Sequence, residues 1–326
     1  MAFSDLTTEQ QIQSLLAPAN SVLLDYGIIP VGLESINHEY NSTFSVTAAD
    51  GSRFALRINV NSTRTKENVA AEMSFVNTLA ELGTFGLATP LRNLSGDFVS
   101  EVAHEETGRD LMCVLFTWLE GEDVGDEPTL EVVFKMGALM AQLHEATKEM
   151  VLPVGEELPI LDDFMWHEED LLLGPKSTLT PEEQHKIQSC KNAIEQELAL
   201  LFKATPKQPI HADLHGWNLK FHNDSLSVFD FDDSGIGLPI QDLATTIYYL
   251  DTEEQEQALR DGYSSVRELP ICSEYQMKAL LLQRRIHLLN YIHETQNPEH
   301  REMLPEYQLE TLRRVEEFLA TKTGQR

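Results

Sequence analysis

Residues 210–242 constrain this chain most, because they force oxygen-bearing side chains together on one short hairpin. The first run reads I-H-A-D-L-H-G-W-N-L-K-F, a turn follows at Asn223-Asp224-Ser225, and the return reads L-S-V-F-D-F-D-D-S-G-I-G-L-P-I-Q-D. Asn and Asp tolerate left-handed backbone, so the two runs are expected to pair, with Asp230 ending the apolar strand of Leu226, Val228 and Phe229. Pairing gathers Asp213, Asn218 and Asp230. An acid that takes a hydroxyl proton, with an Asn and an Asp as hard oxygen donors for magnesium, is the set that phosphoryl transfer uses outside P-loop enzymes. Taken alone, His211-x-Asp213-x-His215 equally has zinc or iron spacing, since alternate residues of a strand face one way.

At 326 residues the chain has room for two lobes of about 100 to 200 residues. Its net charge of -29 argues against nucleic acid or an anionic membrane as partner, because phosphates would be repelled over most of the surface. That charge serves solubility, or else acidic clusters such as Glu168, Glu169 and Asp170 attract a cationic substrate. Cys113, Cys190 and Cys272 are odd in number and far apart, which suggests neither a disulfide framework nor a CxxC metal site. The first residues lack a basic and then apolar leader pattern, and no run approaches the roughly 18 apolar residues of a membrane span. A cytoplasmic protein is expected.

Thr7 or Thr8 is placed to cap a short amphipathic helix carrying Ile12, Leu15 and Leu16, which Pro18 is expected to interrupt. Residues 42–59 alternate as a hairpin turning at Asp50-Gly51, with Ala55 and Arg57 on one face of the second strand and Phe54, Leu56 and Ile58 on the other. A helix over residues 66–82 follows, with Val69, Met73, Val76 and Ala80 inward and Gly83 as C-cap. Glu72 falls on that inner stripe, where a carboxylate needs a cation, and Arg57 is the natural partner; the alternative is a partly exposed flank residue. Strands over 97–102 and 110–118 precede an acidic stretch ending at Pro128, and beyond it the composition turns helical. Helices are expected over 129–147, over 180–203 behind a Thr180-x-x-Glu183 capping box, and over 240–250, 253–263, 274–295 and 306–319. The fold class is α+β. The expected division is an N-terminal lobe over residues 1–117 and a helical C-terminal lobe over 118–326.

This order of elements resembles the aminoglycoside phosphotransferase and choline kinase superfamily, which has a bilobal protein-kinase-like fold. F-A-L-R at 54–57 is similar to the strand motif V-A-I-K, Glu72 stands where a helix glutamate would pair with that cation, and H-A-D-L-H-G-W-N at 211–218 resembles the catalytic loop. V-F-D-F-D-D-S-G-I-G with Asp242 is similar to the metal-binding strand and the aspartate beyond it. The resemblance implies an ATP- and Mg2+-dependent kinase. Asp213 would be the base, Asn218 and Asp230 the metal ligands, and Arg57, held by Glu72, the contact to the phosphates. The loop over 34–41 would cover the phosphates, with Asn37 or Asn41 in contact, and Thr117, Trp118 and Leu119 would be the linker that meets the adenine. His211 and Asp242 would hold the catalytic loop in shape.

The sequence departs from the pattern in two places. Arginine replaces lysine at position 57, a fixed fork in place of a mobile charge, and residues 34–41 contain no glycine. Asp230 and Asp232 alternate on the expected strand, so either suits the metal, although Asp230 has the superfamily's spacing to Asp242. No G-x-x-x-x-G-K-[ST] and no G-x-S-x-G occurs. The acceptor expected from the resemblance is a small hydroxylated amine of aminoglycoside, choline, homoserine or hydroxylysine type. Asp232, Asp233 and Trp217 would meet it through charge and cation-π contact. A stress-response protein Ser/Thr kinase of the same fold, and a nucleotide-binding pseudokinase, are the alternatives.

Overall fold

The computed structural model describes residues 3–62, 64–153, 157–295 and 297–323. The chain forms two compact units. The first runs to Gly121 and takes back Leu152–Glu157 and Ser227–Asp232; the second is built from Glu122–Val151, Leu158–Leu226 and the chain from Asp233 onward.

In the first unit, α1 (Thr8–Asp25) starts at a capping box in which Thr7 and Gln10 exchange side-chain and backbone hydrogen bonds at 3.3 and 3.0 Å. Pro18 lies inside this helix and does not interrupt it. An internal proline costs about 3 kcal/mol. Burial of Leu15, Ala19, Val22 and Leu23 on the same helix offsets that, since each large apolar side chain contributes about 1.5–3 kcal/mol.

Strands β1 (Pro30–His38), β2 (Asn41–Ala48) and β3 (Arg53–Asn59) follow as an antiparallel meander. Residues 34–41 are therefore not the open loop that the resemblance implies. Up to His38 they belong to β1, with a register irregularity between Ser35 and Asn37. Without glycines to hold it off the sheet, this backbone satisfies its polar groups in β2. The turn after β2 is longer than two residues: Ala48 N donates to Ser52 O at 2.8 Å, and Gly51 takes the left-handed φ of 88° that such a turn demands.

Helix α2 (Lys66–Leu82) is capped by Thr65 and ended by Gly83 at φ 63°. Then come β4 (Gly86–Leu87), β5 (Pro90–Leu91), β6 (Val99–His104) and β7 (Arg109–Thr117). The sheet runs β1-β2-β3-β7-β5, with β6 also paired to β7. One face packs Phe44, Val46, Leu56, Ile58 and Leu115 on Leu15, Val22 and Leu23 of α1. On the other, Met112, Val114 and Val99 meet Val69 and Met73 of α2. Period-two alternation along β3 thus sends Leu56 and Ile58 to the α1 side and Arg57 to the α2 side.

The second unit contains β8 (Glu122–Asp123), α3 (Leu130–Thr147), α4 (Pro181–Ala204), β9 (Gln208–Ile210) and β10 (Leu219–His222). A turn at Asn223 and Asp224, with φ of 48° and 65°, leads into β11 (Ser225–Val228), whose last residues pair in parallel with β4 in the first unit. Beyond it lie β12 (Gly235–Gly237), α5 (Pro239–Tyr248), α6 (Glu253–Ser264), α7 (Glu274–Glu294), α8 (Pro298–Glu302) and α9 (Leu304–Thr323). Helices α3 and α6 touch backbone to backbone: a Cβ on Gly137 would lie 2.0 Å from Leu259 O, and one on Gly262 would lie 1.9 Å from Phe134 O. Among the described residues no helix is long and apolar enough to cross a membrane.

Candidate active site

In the first unit Arg57 on β3 and Glu72 on α2 form a buried pair. Arg57 Nη1 donates to Glu72 Oε1 at 2.8 Å and Nη2 to Oε2 at 2.6 Å, so the fork matches both oxygens. Glu72 is therefore not a flank residue: it is 4% exposed. Burial raises its carboxyl above the usual range, and the Arg57 charge opposes that rise. The guanidinium is disfavoured by burial too, and Glu72, Asp232 and Asp230 together hold it charged.

Asp230 and Asp232 do not alternate on a strand, because β11 ends at Val228. The chain leaves pairing there and passes through Asp230 at a left-handed φ of 62°, a conformation disfavoured for a residue with a Cβ. This kink directs Asp232 to Asn41 and Arg57. Asn41 Nδ2 donates to Asp232 Oδ2 at 2.9 Å, and Arg57 Nη1 stands 3.8 Å from Oδ1. At the end of β7 the Thr117 amide donates to Thr89 O at 2.9 Å, and Trp118 lies beneath the Arg53 guanidinium, 3.9 Å from its ring centre. Leu119 follows them.

In the second unit the loop 211–215 is shaped from behind by Asp242, in the first turn of α5. Asp242 accepts the His211 amide at 3.1 Å on Oδ2 and the Ala212 amide at 2.6 Å on Oδ1. Those bonds impose a left-handed φ of 69° on Ala212, a strained conformation worth about 1–3 kcal/mol. His144 of α3 meets Asp242 Oδ2 at 2.9 Å through Nε2 and Tyr263 Oη at 3.0 Å through Nδ1. His211 is fully buried, and its Nδ1 accepts the Asp213 amide at 3.2 Å. Because β9 stops at Ile210, His211, Asp213 and His215 are not alternate residues of one strand, and the zinc or iron arrangement does not form. Among the described residues the group whose ligand atoms lie within 4.8 Å is Asp162, Asp163 and His167 instead. There Asp163 takes the amides of Met165 and His167 and pairs with the His167 ring at 2.8 Å, closing its own loop.

The Asp213 carboxylate is held from two sides. Arg284 of α7 donates from Nη2 to Oδ1 and, at 2.7 Å, to the Tyr249 hydroxyl. On Oδ2, Asn218 Nδ2 donates at 3.1 Å, and His215 Nε2 lies at 3.3 Å. Burial pushes this carboxyl up, but the Arg284 charge and the His215 contact outweigh it and hold its pKa at about 2. Asn218 also donates to Asp213 O at 2.8 Å. With its amide hydrogens turned to Asp213, its Oδ1 points away as an acceptor. Arg284 and Tyr249 are the members that the sequence reading missed. The signal was two arginines inside an otherwise apolar helical run, A-L-L-L-Q-R-R-I-H-L-L.

The remaining candidates make contacts of their own. Trp217 is half exposed, and its indole N–H donates to Asp126 at 2.7 Å. Glu169 pairs with Lys176 at 2.6 Å and Asp170 with Lys191 at 3.3 Å. Asp233 contributes to the charge on Arg284. In the first unit the donor set fits a polyphosphate with a hard cation: Arg57 Nε and Asp232 Oδ1 are buried with no hydrogen-bond partner among the described residues, and Asp230 and Asp232 offer oxygen.

A meander packed between two helices, followed in the chain by a helical unit bearing a catalytic-type loop, is a protein-kinase-like fold. The model of the phosphotransferase enzyme family matches residues 33–272, and the chain belongs to that family. Amicoumacin kinase of Bacillus subtilis (strain 168) is 28% identical over 201 residues, 61% of this chain and 57% of that protein. The chain thus spans little more than half the length of this curated relative. Among solved structures, an amicoumacin kinase in complex with AMP-PNP, Ca2+ and Ami superposes with a TM-score of 0.76 at 20% identity, covering 94% of this chain and 96% of that one. A microcompartment-associated aminopropanol kinase gives a TM-score of 0.75 at 20% identity, with 94% and 98% covered. These likenesses show the fold.

Proposed function

We propose that this chain transfers the γ-phosphoryl group of ATP, with Mg2+, to a hydroxyl of a small, amine-bearing molecule. The observation that carries the reading is the partly buried, ionised Asp213 carboxylate, fixed by Arg284 on one oxygen and by Asn218 and His215 on the other. When bound, the nucleotide supplies the phosphoryl group and the metal offsets its charge. The chain's own residues do the rest. Asp213 orients the acceptor hydroxyl and takes its proton as the oxygen is phosphorylated. Arg57, kept in place by Glu72, and Asn41 bind phosphate oxygens. Asn218 through Oδ1 and Asp230 are the metal ligands we assign, and Thr117, Trp118 and Leu119 meet the adenine. His211 and Asp242 keep the catalytic loop in its strained shape.

A relative named for amicoumacin supports a small-molecule acceptor, and a structural neighbour named for aminopropanol supports one with an amine. Trp217 presents a half-exposed ring suited to an ammonium group, and Asp233 adds negative charge. Asp232, also an acceptor residue in the sequence reading, is engaged by Asn41 and Arg57. The test is ATP consumption with magnesium across a panel of amino alcohols and aminoglycosides, with mass detection of the product. Turnover should be lost in Asp213→Ala. Tight nucleotide binding with no acceptor consumed would remove the catalytic reading, and phosphate found only on protein would overturn the acceptor class.

A further inference from the structure

In the first unit one carboxylate serves donors on two strands. Asn41 and Asn59 are cross-strand partners on β2 and β3, and Arg57 lies two residues before Asn59, so all three side chains share the α2-facing side of the sheet. Onto that face Asp232 brings its carboxylate, taking the Asn41 Nδ2 hydrogen at 2.9 Å and standing 3.8 Å from Arg57 Nη1.

The two anions on Arg57 are bound in different ways. Glu72 holds the guanidinium through two short hydrogen bonds of 2.8 and 2.6 Å. Asp232 lies beyond hydrogen-bonding reach of Arg57, and its Oδ1 is buried with no hydrogen-bond partner among the described residues. Arg57 Nε and Asn41 Oδ1 are buried in the same condition. A desolvated carboxylate with one oxygen unmatched carries its burial cost without the full return. Such a contact is exchangeable, whereas the Glu72 contact is not.

Resting on the function proposed above, which assigns Asn41 and Arg57 to phosphate oxygens, we infer that Asp232 is an internal stand-in for the phosphates. It occupies their donors, and its displacement makes nucleotide binding depend on a divalent cation. Without metal, a polyphosphate must break the Asn41 hydrogen bond and come up against both Asp230 and Asp232, whose charges already act on Arg57. With metal present, the displaced carboxylate gains a hard cation as its new partner. Asp232 is in this sense a positioning and specificity residue: it discriminates the metal-loaded nucleotide from the bare one.

The experiment is calorimetric titration of the whole chain with ADP, once with Mg2+ and once with chelator, in wild type and Asp232→Asn. The amide is of the same size and its oxygen can still accept from Asn41, so the charge is removed with that contact kept. Bare ADP should bind Asp232→Asn about tenfold tighter than wild type, and the gain in affinity from Mg2+ should shrink by a similar factor. Asp232→Glu, which keeps the charge, should retain the wild-type metal dependence. Asp232→Ala carries the same expectation as the amide variant and replaces it if that protein does not fold. Bare ADP bound no tighter by either neutral variant, while wild type binds Mg·ADP, would overturn this inference and leave the proposed function standing. A wild-type chain that binds no nucleotide with Mg2+ would overturn both.

Discussion

Each unit sets one buried arginine against one carboxylate, and the two pairs are matched to different degrees. Arg57 and Glu72 match fork to fork, on the first strand-helix connection of the β unit, and the match consumes both carboxylate oxygens. In the second unit Arg284 gives Asp213 a single donor, Nη2, which it shares with Tyr249. The Arg284 Nε is buried with no hydrogen-bond partner among the described residues. A fully matched pair fixes a backbone relationship, here β3 to α2. A partly matched one leaves a carboxylate ionised yet able to take another hydrogen bond, which is what a base must do.

The comparison breaks first at Asp213. Asp213→Ala should lower kcat by on the order of 10³-fold or more while nucleotide affinity stays within a few-fold, measured by turnover and calorimetry side by side. At the matched pair the loss should fall on stability instead. Glu72→Ala leaves a buried guanidinium without its partner and should cost about 3–5 kcal/mol in urea unfolding; a loss under 1 kcal/mol would show that the pair is not buried as described.

Exchange of arginine for lysine sharpens the contrast. Arg284→Gln should reduce kcat/KM by about 10- to 100-fold, roughly 1.4–2.7 kcal/mol, and Arg284→Lys should recover most of it, because one donor makes the contact. Arg57→Lys should not recover the stability lost in Arg57→Gln, since an ammonium cannot satisfy both Glu72 oxygens. Equal recovery at the two positions would erase the distinction.

The smallest effect lies one turn along α7. His287 Nε2 is 2.6 Å from Phe164 O, and burial lowers its pKa from 6.5 to about 4. The folded value is below the unfolded one, so the unfolded chain binds the extra proton. Stability is therefore retained above about pH 6.5 and is lost as pH falls toward 4. Because the ring keeps some solvent contact, about 2 kcal/mol is expected over that window. His287→Gln should flatten the acid slope of the unfolding free energy without changing kcat.

Much of this was legible in sequence because local chemistry carries it. The Thr180 cap, the Gly83 stop and the strict alternation through Phe44 and Val46 need only neighbours within a few residues. The Arg57-Glu72 partnership was legible too, since a strand parity and a helix stripe each left one charge facing inward. Other features were not. Pro18 sits in an unbroken α1 because packing on the sheet outweighs a local penalty. Residues 34–38 join β1 although nothing in their composition demands a strand. Asp230 lies off the strand because backbone strain, invisible in a list of residues, turns the chain there.

What the sequence determined by itself is the inventory of hairpin 210–242: an aspartate, an asparagine and further aspartates at spacings that suit phosphoryl chemistry. Which carboxylate meets which cation was decided only by tertiary structure. Arg284 reaches Asp213 across 71 residues of chain, and Asn41 reaches Asp232 across 191. Charge pairing over such separations is set by where helices and strands pack, and packing depends on the sum of the core rather than on any stretch that could be read alone.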